Sequence, residues 1–399
     1  MSQMISFLLS IALLIPGWSL LASGRMTFAA YTRVKDSHYA EASAQLSDPD
    51  ATPEARALMA WMKEQYGKYT LSGQYVDPYQ DYNQPQFKDE QGNVDIRLSN
   101  ELAVLQEVNG GKLPVVVGLD YTGVEFPNQW QDWVTQLAMQ WDDLGGIATF
   151  CWHWLVPADI NQDPAKWGRW EDDSTASAIY GKDTNFDLKA AMADKTSVGY
   201  QWLLQCIDKV AVQLLVLQNA GVPVLWRPLH EAAGGWFWWG EDKDAYLELY
   251  RLLYDKLTNE HGLHNLIWVW NAQDAAWYPG DAYVDMIADD PYPPGNKSWL
   301  HYVDPSRTTR FKYTHRISPT KMLAMSENAN LPSLDQMWHF NTKWLMFCTW
   351  DREMMLKPDP DNQPYGLLRE YSEQYNSIKT LRKVYNDPRV LTLERSQWQ

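Results

Sequence analysis

The sequence predicts a (β/α)8 TIM barrel that forms a single catalytic domain. Short, almost continuously apolar segments alternate with segments of helical periodicity, which indicates a parallel sheet covered on both faces. Eight such units follow one another in the chain of 399 residues. Each apolar segment ends in polar or aromatic residues, and the active site of such a barrel lies at the carboxyl ends of its strands. The sequence therefore predicts both the fold and the edge that carries the chemistry.

The predicted strands are short apolar segments bounded by turns or by helical segments. In chain order they occupy Tyr69–Tyr75, Leu113–Tyr121, Ile147–Trp154, Val222–Trp226, Asn265–Asn271, Val284–Tyr292, Lys321–Glu327 and Trp344–Trp350. The predicted helices occupy Glu54–Tyr66, Gln131–Leu144, Tyr200–Ala220, Asp244–Glu260 and Tyr365–Tyr385. A further helix begins at the N-cap Ser99 and ends at Gly110-Gly111, in agreement with capping preferences. A long polar loop, Pro157–Asp194, follows the third strand, and loops of this length are usually functional or disordered.

The residues before the barrel are predicted to be separate from it. The apolar run Ile5–Pro16 is followed by small residues, which resembles a secretory signal, so residues 1–23 are assigned to a signal-like segment. A membrane anchor is the alternative, although the run is short for a span. Residues 24–50 are predicted to form a polar, extended lead-in, and residues 51–399 the barrel. A doubly wound open sheet is the alternative fold, but no glycine-rich phosphate fingerprint follows an early strand.

The composition favours a neutral, polyhydroxylated ligand. The chain has 50 acidic and 34 basic residues and a net charge of -16, which argues against nucleic acid and anionic membranes as partners. It also has 22 tryptophans and 22 tyrosines, whose flat faces can stack on sugar rings. The three cysteines Cys151, Cys206 and Cys348 lack metal-ligand spacing. We expect them to be small buried hydrophobes, with a disulfide as the alternative.

The stretch Trp226–Gly240 combines charge, glycine and indole where a strand ends. Arg227, His230 and Glu231 precede two glycines and three tryptophans. Since charged residues are almost never buried unless paired, this order favours a sugar-binding cleft in which Glu231 donates a proton. The alternative is an aromatic core cluster in which Glu231 pairs with Arg227. A zinc-protease motif is excluded because Gly234 stands where the second histidine would be.

A second carboxylate, Glu327, follows the seventh predicted strand. If the barrel closes, it lies on the same rim as Glu231. Retaining glycoside hydrolysis needs two carboxyl groups roughly 5–5.5 Å apart, one as proton donor and one as nucleophile. The alternative for Glu327 is a helix-capping or ion-paired glutamate.

Three motifs resemble those of glycoside hydrolase family 26, whose best-known members are endo-β-1,4-mannanases. Trp226-Arg-Pro-Leu-His-Glu followed by Gly-Gly-Trp-Phe-Trp-Trp-Gly resembles the family signature. Leu71-Ser-Gly-Gln74 and Met325-Ser-Glu-Asn328 resemble two further landmarks. The similarity spans roughly residues 50 to 390.

The resemblance implies a retaining double displacement, with Glu231 as acid/base and Glu327 as nucleophile. It also implies sugar contacts or site-lining roles for six other side chains, namely His153, Trp167, His230, Trp236, Tyr292 and Trp350. Arg227 is expected to be a supporting, orienting charge.

These expectations define a secreted, monomeric endo-β-1,4-mannanase that acts on mannan-type polysaccharide without a metal or other cofactor. Mixed-linkage β-glucanase and β-1,3-xylanase activities, which also occur in the family, are the alternatives within the same chemistry. In a different class, a barrel that binds polysaccharide without hydrolysing it is the alternative.

Overall fold

The computed structural model describes residues 33–77, 95–126, 130–162, 177–292, 306–361, 366–396 and 398. The predicted signal-like segment 1–23 and the candidate site residue Trp167 lie outside the described residues.

Eight short, mostly apolar parallel strands form the barrel, and a two-residue strand, Val390–Leu391, pairs in addition with Thr70 and Leu71 of the first. The eight strands are β1 (Thr70–Tyr75), β2 (Val116–Asp120), β3 (Ile147–Trp152), β4 (Val224–Pro228), β5 (Leu266–Trp270), β6 (Met286–Asp289), β7 (Met322–Met325) and β8 (Met346–Thr349). Neighbours are hydrogen-bonded in the order β8-β1-β2-β3-β4-β5-β6-β7. All of these pairings are parallel, so the carboxyl ends of the strands share one rim.

Hydrogen bonds between β7 and β8 bring the two ends of the sheet together. The Leu345 amide donates to Leu323 O over 2.8 Å, and the Asn328 amide donates to Cys348 O over 3.0 Å. The Trp350 amide in turn donates to Asn328 O over 2.9 Å. The (β/α)8 barrel predicted from the sequence is therefore confirmed.

Helices pack around the barrel. They are α1 (Ser37–Glu41), α2 (Pro53–Gln65), α3 (Asn100–Asn109), α4 (Trp130–Asp143), α5 (Leu188–Ala193), α6 (Val198–Asn219), α7 (Lys243–Tyr254), α8 (Ser306–His315), α9 (Leu334–Phe340), α10 (Ile378–Tyr385) and α11 (Leu393–Ser396). As predicted, Ser99 caps α3 by accepting from the Leu102 amide, and Gly110 ends it in the left-handed conformation. None of the helices in the described ranges is long and apolar enough to cross a membrane.

The barrel interior and its helix interface are filled by large apolar side chains. Fully buried tryptophans include Trp226, Trp268, Trp270 and Trp344, each 0% exposed. The three cysteines are buried and free, as predicted. The strand β4 runs through Pro228, two residues beyond its predicted end. Arg227 therefore lies within the strand, and its side chain is buried.

The predicted closing helix Tyr365–Tyr385 is wrong over its first half. Leu367–Tyr371 forms a strand that pairs antiparallel with Leu356–Pro358. The helix begins only after Ser377, whose hydroxyl accepts from the Thr380 amide. The residues upstream of this cap lack the apolar repeat that α10 has in its buried Leu381, Val384 and Tyr385, so strand pairing prevails there.

The lead-in before the barrel is packed rather than extended over its described part. Residues Ser37–Glu41 form a short helix, and His38 and Tyr39 are buried. The Tyr39 hydroxyl donates to Asn341 O over 2.7 Å, and His38 Nε2 lies 2.7 Å from the Tyr66 hydroxyl. Two aromatic side chains thus anchor a segment that its polar composition did not predict to be ordered.

Candidate active site

The candidate side chains lie on or just beyond the carboxyl ends of β2, β3, β4, β6, β7 and β8. Glu231 follows β4, Glu327 follows β7, and Tyr292 belongs to the loop after β6. Because the strands are parallel, these residues meet at one rim of the barrel.

The backbone that carries Glu231 is strained. Leu229 has φ 52° and Glu231 has φ 55°, in a region that side-chain-bearing residues seldom adopt. The conformation is held by the Glu231 amide, which donates to Asn271 O over 2.6 Å, and by Trp239 Nε1, which donates to His230 O over 2.8 Å. Such strain is typical of functional sites, where neighbouring structure over-determines the backbone.

Three carboxyl groups converge at this rim. Glu231, Asp290 and Glu327 each place a carboxylate oxygen within 4.8 Å of the other two. The structure therefore brings the carboxyl groups of Glu231 and Glu327 together, as the sequence predicted. A spacing of this order is what retaining glycosidases require.

A buried arginine neutralises part of this charge. The Arg227 guanidinium is fully buried and forms ion pairs with Glu327 and, over 3.2 Å, with Asp290. Its NH2 group also donates to the Tyr75 hydroxyl over 3.0 Å. The ion pairs of Arg227 thus go to Asp290 and Glu327, so the alternative in which Glu231 pairs with Arg227 is wrong.

Glu327 is held on both of its carboxylate oxygens. Arg227 donates to Oε1, and the Tyr292 hydroxyl donates to Oε2 over 2.8 Å. Burial and the adjacent Glu327 charge raise the pKa of Tyr292, so its hydroxyl keeps the proton that it donates. The ion-paired alternative for Glu327 describes its contacts correctly, and these contacts fix the orientation of its carboxylate.

Glu231 has the opposite environment. Burial raises its pKa well above the usual range, and the negative charges of Asp290 and Glu327 raise it further. Asp290 behaves similarly, because burial raises its pKa to about 7 against the opposing effect of Arg227. Of the two glutamates, the one without an arginine partner therefore has a raised pKa, which suits a general acid.

Two histidines line the rim beside the carboxyl groups. His153 Nδ1 lies 2.6 Å from a carboxylate oxygen of Asp120, and His153 Nε2 lies 3.2 Å from Nε2 of His230. Since a carboxylate only accepts, Nδ1 of His153 donates to Asp120. Burial lowers the pKa of His230 well below its usual range, so this imidazole is neutral. The neutral His230 ring can recognise sugar hydroxyls without adding charge.

Aromatic rings surround the histidines. The Trp350 ring is half-buried and lies 5.9 Å from that of His153 and 4.6 Å from that of Tyr75, centroid to centroid. Phe237 rather than Trp236 contacts both histidines, at 5.6 Å from His153 and 5.1 Å from His230.

The Trp236 ring packs against its own loop. It packs over Gly234, where an added Cβ would meet the ring at 2.0 Å. Gly235 turns the chain at φ 70°. These two glycines let the indole fold back over its own loop.

Two groups of side chains have the donor atoms that a metal would need. They are the carboxyl trio and the cluster of Asp120, Cys151 and His153, each with its ligand atoms within 4.8 Å of one another. In the trio, Arg227 already supplies positive charge to two members. In the second cluster, the Asp120 carboxylate is bonded to His153.

Several residues of the site were not predicted from the sequence. Asp120 ends β2 and orients His153, while Asp290 opens the Asp-Pro-Tyr segment and joins Arg227 to Ser326, whose hydroxyl donates to it over 2.6 Å. Both are carboxylates at the end of an apolar strand, and this is the signal that identified the two glutamates. Gln273, whose Nε2 donates to Oε1 of Glu231 over 3.2 Å, lies in a loop and carries no such signal.

The family comparison matches almost the whole chain. The sequence profile of Glycosyl hydrolase family 26 matches residues 47–395. A mannan endo-1,4-beta-mannosidase of Thermothelomyces thermophilus is 34% identical over 389 residues, covering 96% of this chain and 69% of that protein. A mannan endo-1,4-beta-mannosidase A of Piromyces sp is 29% identical over 356 residues, covering 88% of this chain and 50% of that protein. The chain thus spans only half of the Piromyces protein's length.

A solved structure agrees with these sequence relatives. A ruminal GH26 endo-beta-1,4-mannanase superposes with a TM-score of 0.76 at 29% identity, covering 92% of this chain and 72% of that chain.

Proposed function

Because the chain belongs to glycosyl hydrolase family 26 and is therefore a glycoside hydrolase, we propose that it is a retaining endo-β-1,4-mannanase. One observation carries the mechanism. A carboxylate oxygen of Glu231, after β4, lies within 4.8 Å of a carboxylate oxygen of Glu327, after β7, and of the two only Glu327 contacts Arg227. The substrate class rests on the relatives, two of which are named mannan endo-1,4-beta-mannosidases.

In the first step, Glu231 donates its proton to the glycosidic oxygen while a Glu327 carboxylate oxygen attacks the anomeric carbon. The bond from this carbon to the leaving oxygen breaks, and a covalent glycosyl-enzyme forms. Tyr292 and Arg227 hold Glu327 in place for the attack.

In the second step, the now ionised Glu231 removes a proton from a water molecule that attacks the same carbon. The bond to Glu327 breaks, and the product leaves with its original anomeric configuration. Both glutamates return to their starting states, with the proton on Glu231 and the charge on Glu327.

The rim supports sugar binding as well as chemistry. His153 and His230 offer ring nitrogens as donors and acceptors, and Trp350 presents a half-buried ring beside them. Trp236 and Trp167 are proposed as further contacts from the loops after β4 and β3. The signal-like segment 1–23 supports secretion, and we propose a monomer that acts outside the cell.

The stereochemical course tests the mechanism. We expect NMR to show that the β-anomer is released first from manno-oligosaccharides, whereas initial release of the α-anomer would exclude Glu327 as nucleophile. Glu327→Ala should lose nearly all turnover, and undiminished turnover would remove this residue from the mechanism.

A substrate panel tests the specificity and the class. Rates on mannan, glucomannan, mixed-linkage glucan and β-1,3-xylan should rank mannan or glucomannan first. Retardation in a galactomannan gel without release of reducing sugar would instead indicate a binding protein that does not hydrolyse its ligand.

A further inference from the structure

A chain of side chains reaches Glu231 from outside the carboxyl trio. Gln273 lies three residues beyond the end of β5, and its Nε2 donates to Oε1 of Glu231 over 3.2 Å. Its Oε1 accepts from the Arg310 guanidinium over 3.0 Å. Arg310, on α8, is in turn bound through two nitrogens to the carboxylate of Asp289, the last residue of β6.

The arginine fixes which way the Gln273 amide faces. A guanidinium has only donors, so the Gln273 oxygen must face Arg310 and the NH2 group must face Glu231. The Asp289 side chain is only 1% exposed. If Arg310 moved away, this buried carboxylate would lose its ion-pair partner, which is costly. The donor that faces Glu231 is therefore set by an ion pair on the neighbouring strand.

The backbone at Gln273 supports the same conclusion. Gln273 has φ 69°, a left-handed conformation that is uncommon for residues other than glycine. The preceding residues are pinned to the Glu231 loop, because the Glu231 amide donates to Asn271 O and the Ala233 amide donates to Ala272 O. The strained turn aims the Gln273 side chain back toward Glu231.

This donor determines where the proton of Glu231 can reside. The Gln273 NH2 group can only donate to Oε1, and the carbonyl oxygen of a carboxylic acid is a better acceptor than its hydroxyl oxygen, so this bond favours Oε1 as the carbonyl oxygen and Oε2 as the protonated one. We propose that Gln273 is a positioning residue that confines the acidic proton of Glu231 to Oε2 and holds this oxygen toward the leaving group. The proposal rests on the proposed function in that it takes Glu231 as the acid that protonates the glycosidic oxygen.

Other charged groups also face Glu231 and are unchanged in the test variants. They are the carboxyl groups of Asp290 and Glu327, the guanidinium groups of Arg227 and Arg310, and the hydroxyl groups of Tyr180 and Tyr292. The difference between wild type and Gln273→Met is therefore attributable to the amide.

The test compares two leaving groups. A sugar leaving group needs protonation, whereas dinitrophenolate leaves without it. We expect Gln273→Met to lower kcat/KM on mannohexaose by about 10- to 100-fold, a part of the usual effect of a general acid, and to change kcat/KM on 2,4-dinitrophenyl β-mannobioside less than about threefold. Gln273→Glu, which keeps the Arg310 contact but cannot donate, should show the same split.

Gln218→Met is the matched control. Gln218 bridges backbone groups at the opposite end of β5, where its Nε2 donates to Gly262 O and its Oε1 accepts from the amides of His264 and Asn265. Loss of this amide should leave both kcat/KM values near the wild-type values. A parallel fall of both substrates in the two Gln273 variants, or no fall in either, would overturn the positioning role.

The pH profile gives a second readout. Removal of a donor from a carboxylate raises its pKa, so the alkaline limb of kcat/KM should move to higher pH in Gln273→Met. A purely structural lesion would lower the profile without moving this limb.

Glu231→Ala, measured on the same two substrates, separates this inference from the proposed function. It should show the same split in more extreme form, with azide restoring turnover of the dinitrophenyl substrate. A Glu231→Ala variant without any split would overturn the acid role itself. A split in Glu231→Ala but not in the Gln273 variants would overturn only the inference on Gln273.

Discussion

Glu125→Gln should remove a pH dependence of stability that originates beside the barrel mouth. Glu125 follows β2, is 0% exposed, and accepts through Oε1 from Trp152 Nε1 over 2.6 Å and from the Leu155 amide over 3.0 Å. Its Oε2 has no hydrogen-bond partner within the described part of the chain. Burial raises the pKa of Glu125 from 4.5 to about 8, against the lowering effect of the two donors.

The sign and size of the effect follow from this pKa. The folded state holds the proton more tightly than the unfolded chain, so the stability is intact below about pH 4.5 and is lost as the pH rises toward 8. At about 1.4 kcal/mol per pKa unit, the loss reaches at most about 5 kcal/mol. Glutamine keeps the acceptor for both donors and never ionises, so it escapes this loss.

Urea unfolding between pH 4.5 and pH 8.5 measures the effect. Wild type and Glu125→Gln should have similar free energies of unfolding at pH 4.5, and the variant should be more stable by several kcal/mol, with about 5 kcal/mol as the upper limit, at pH 8.5. Other buried acids such as Asp285, whose pKa burial raises to about 6, are present in both proteins and cancel in the difference. A difference that stays constant across this pH range would refute the reasoning.

Two predictions concern the groups that hold Glu327. Tyr292→Phe removes the 2.8 Å hydrogen bond to Oε2, and a hydrogen bond to a charged group contributes about 1.5–3 kcal/mol, so kcat/KM on mannohexaose should fall by about 10- to 150-fold. Unchanged steady-state kinetics would show that Arg227 alone orients the carboxylate. Arg227→Met leaves Glu327 and Asp290 buried without their cation, so the free energy of unfolding at pH 7 should fall by about 3–5 kcal/mol. In urea unfolding, Arg227→Lys should lose less, and equal losses would show that packing rather than charge is responsible.

The strands and the convergence of the two glutamates could be predicted because they depend on local patterns. Apolar runs of strand length repeat along the chain, and parallel strands bring their carboxyl ends to one rim. The same patterns failed at Leu367–Tyr371, where pairing with Leu356–Pro358 overrides a helical interpretation. Sequence patterns report what a segment does alone and miss pairings made across the fold.

The finer contacts of the site could not be predicted because they depend on side chains far apart in sequence. Phe237 and Trp236 are neighbours with similar character, and only the turn at Gly235 decides that Phe237 contacts the histidines. Gln273 reaches Glu231 from a left-handed turn after β5, and Arg310 on α8 holds its amide oxygen. Neither relation leaves a pattern in the local sequence.

The assignment of acid and nucleophile follows from where one arginine points. Arg227 lies inside β4, four residues before Glu231, yet its guanidinium reaches away from its own loop to Glu327 after β7 and to Asp290 after β6. Glu231 stays beyond the strand end, where the left-handed backbone and the amide of Gln273 hold it beside two negative charges. The cation therefore contacts the carboxylate that we propose as the nucleophile, and the glutamate without this contact has the raised pKa that suits the proposed proton donor.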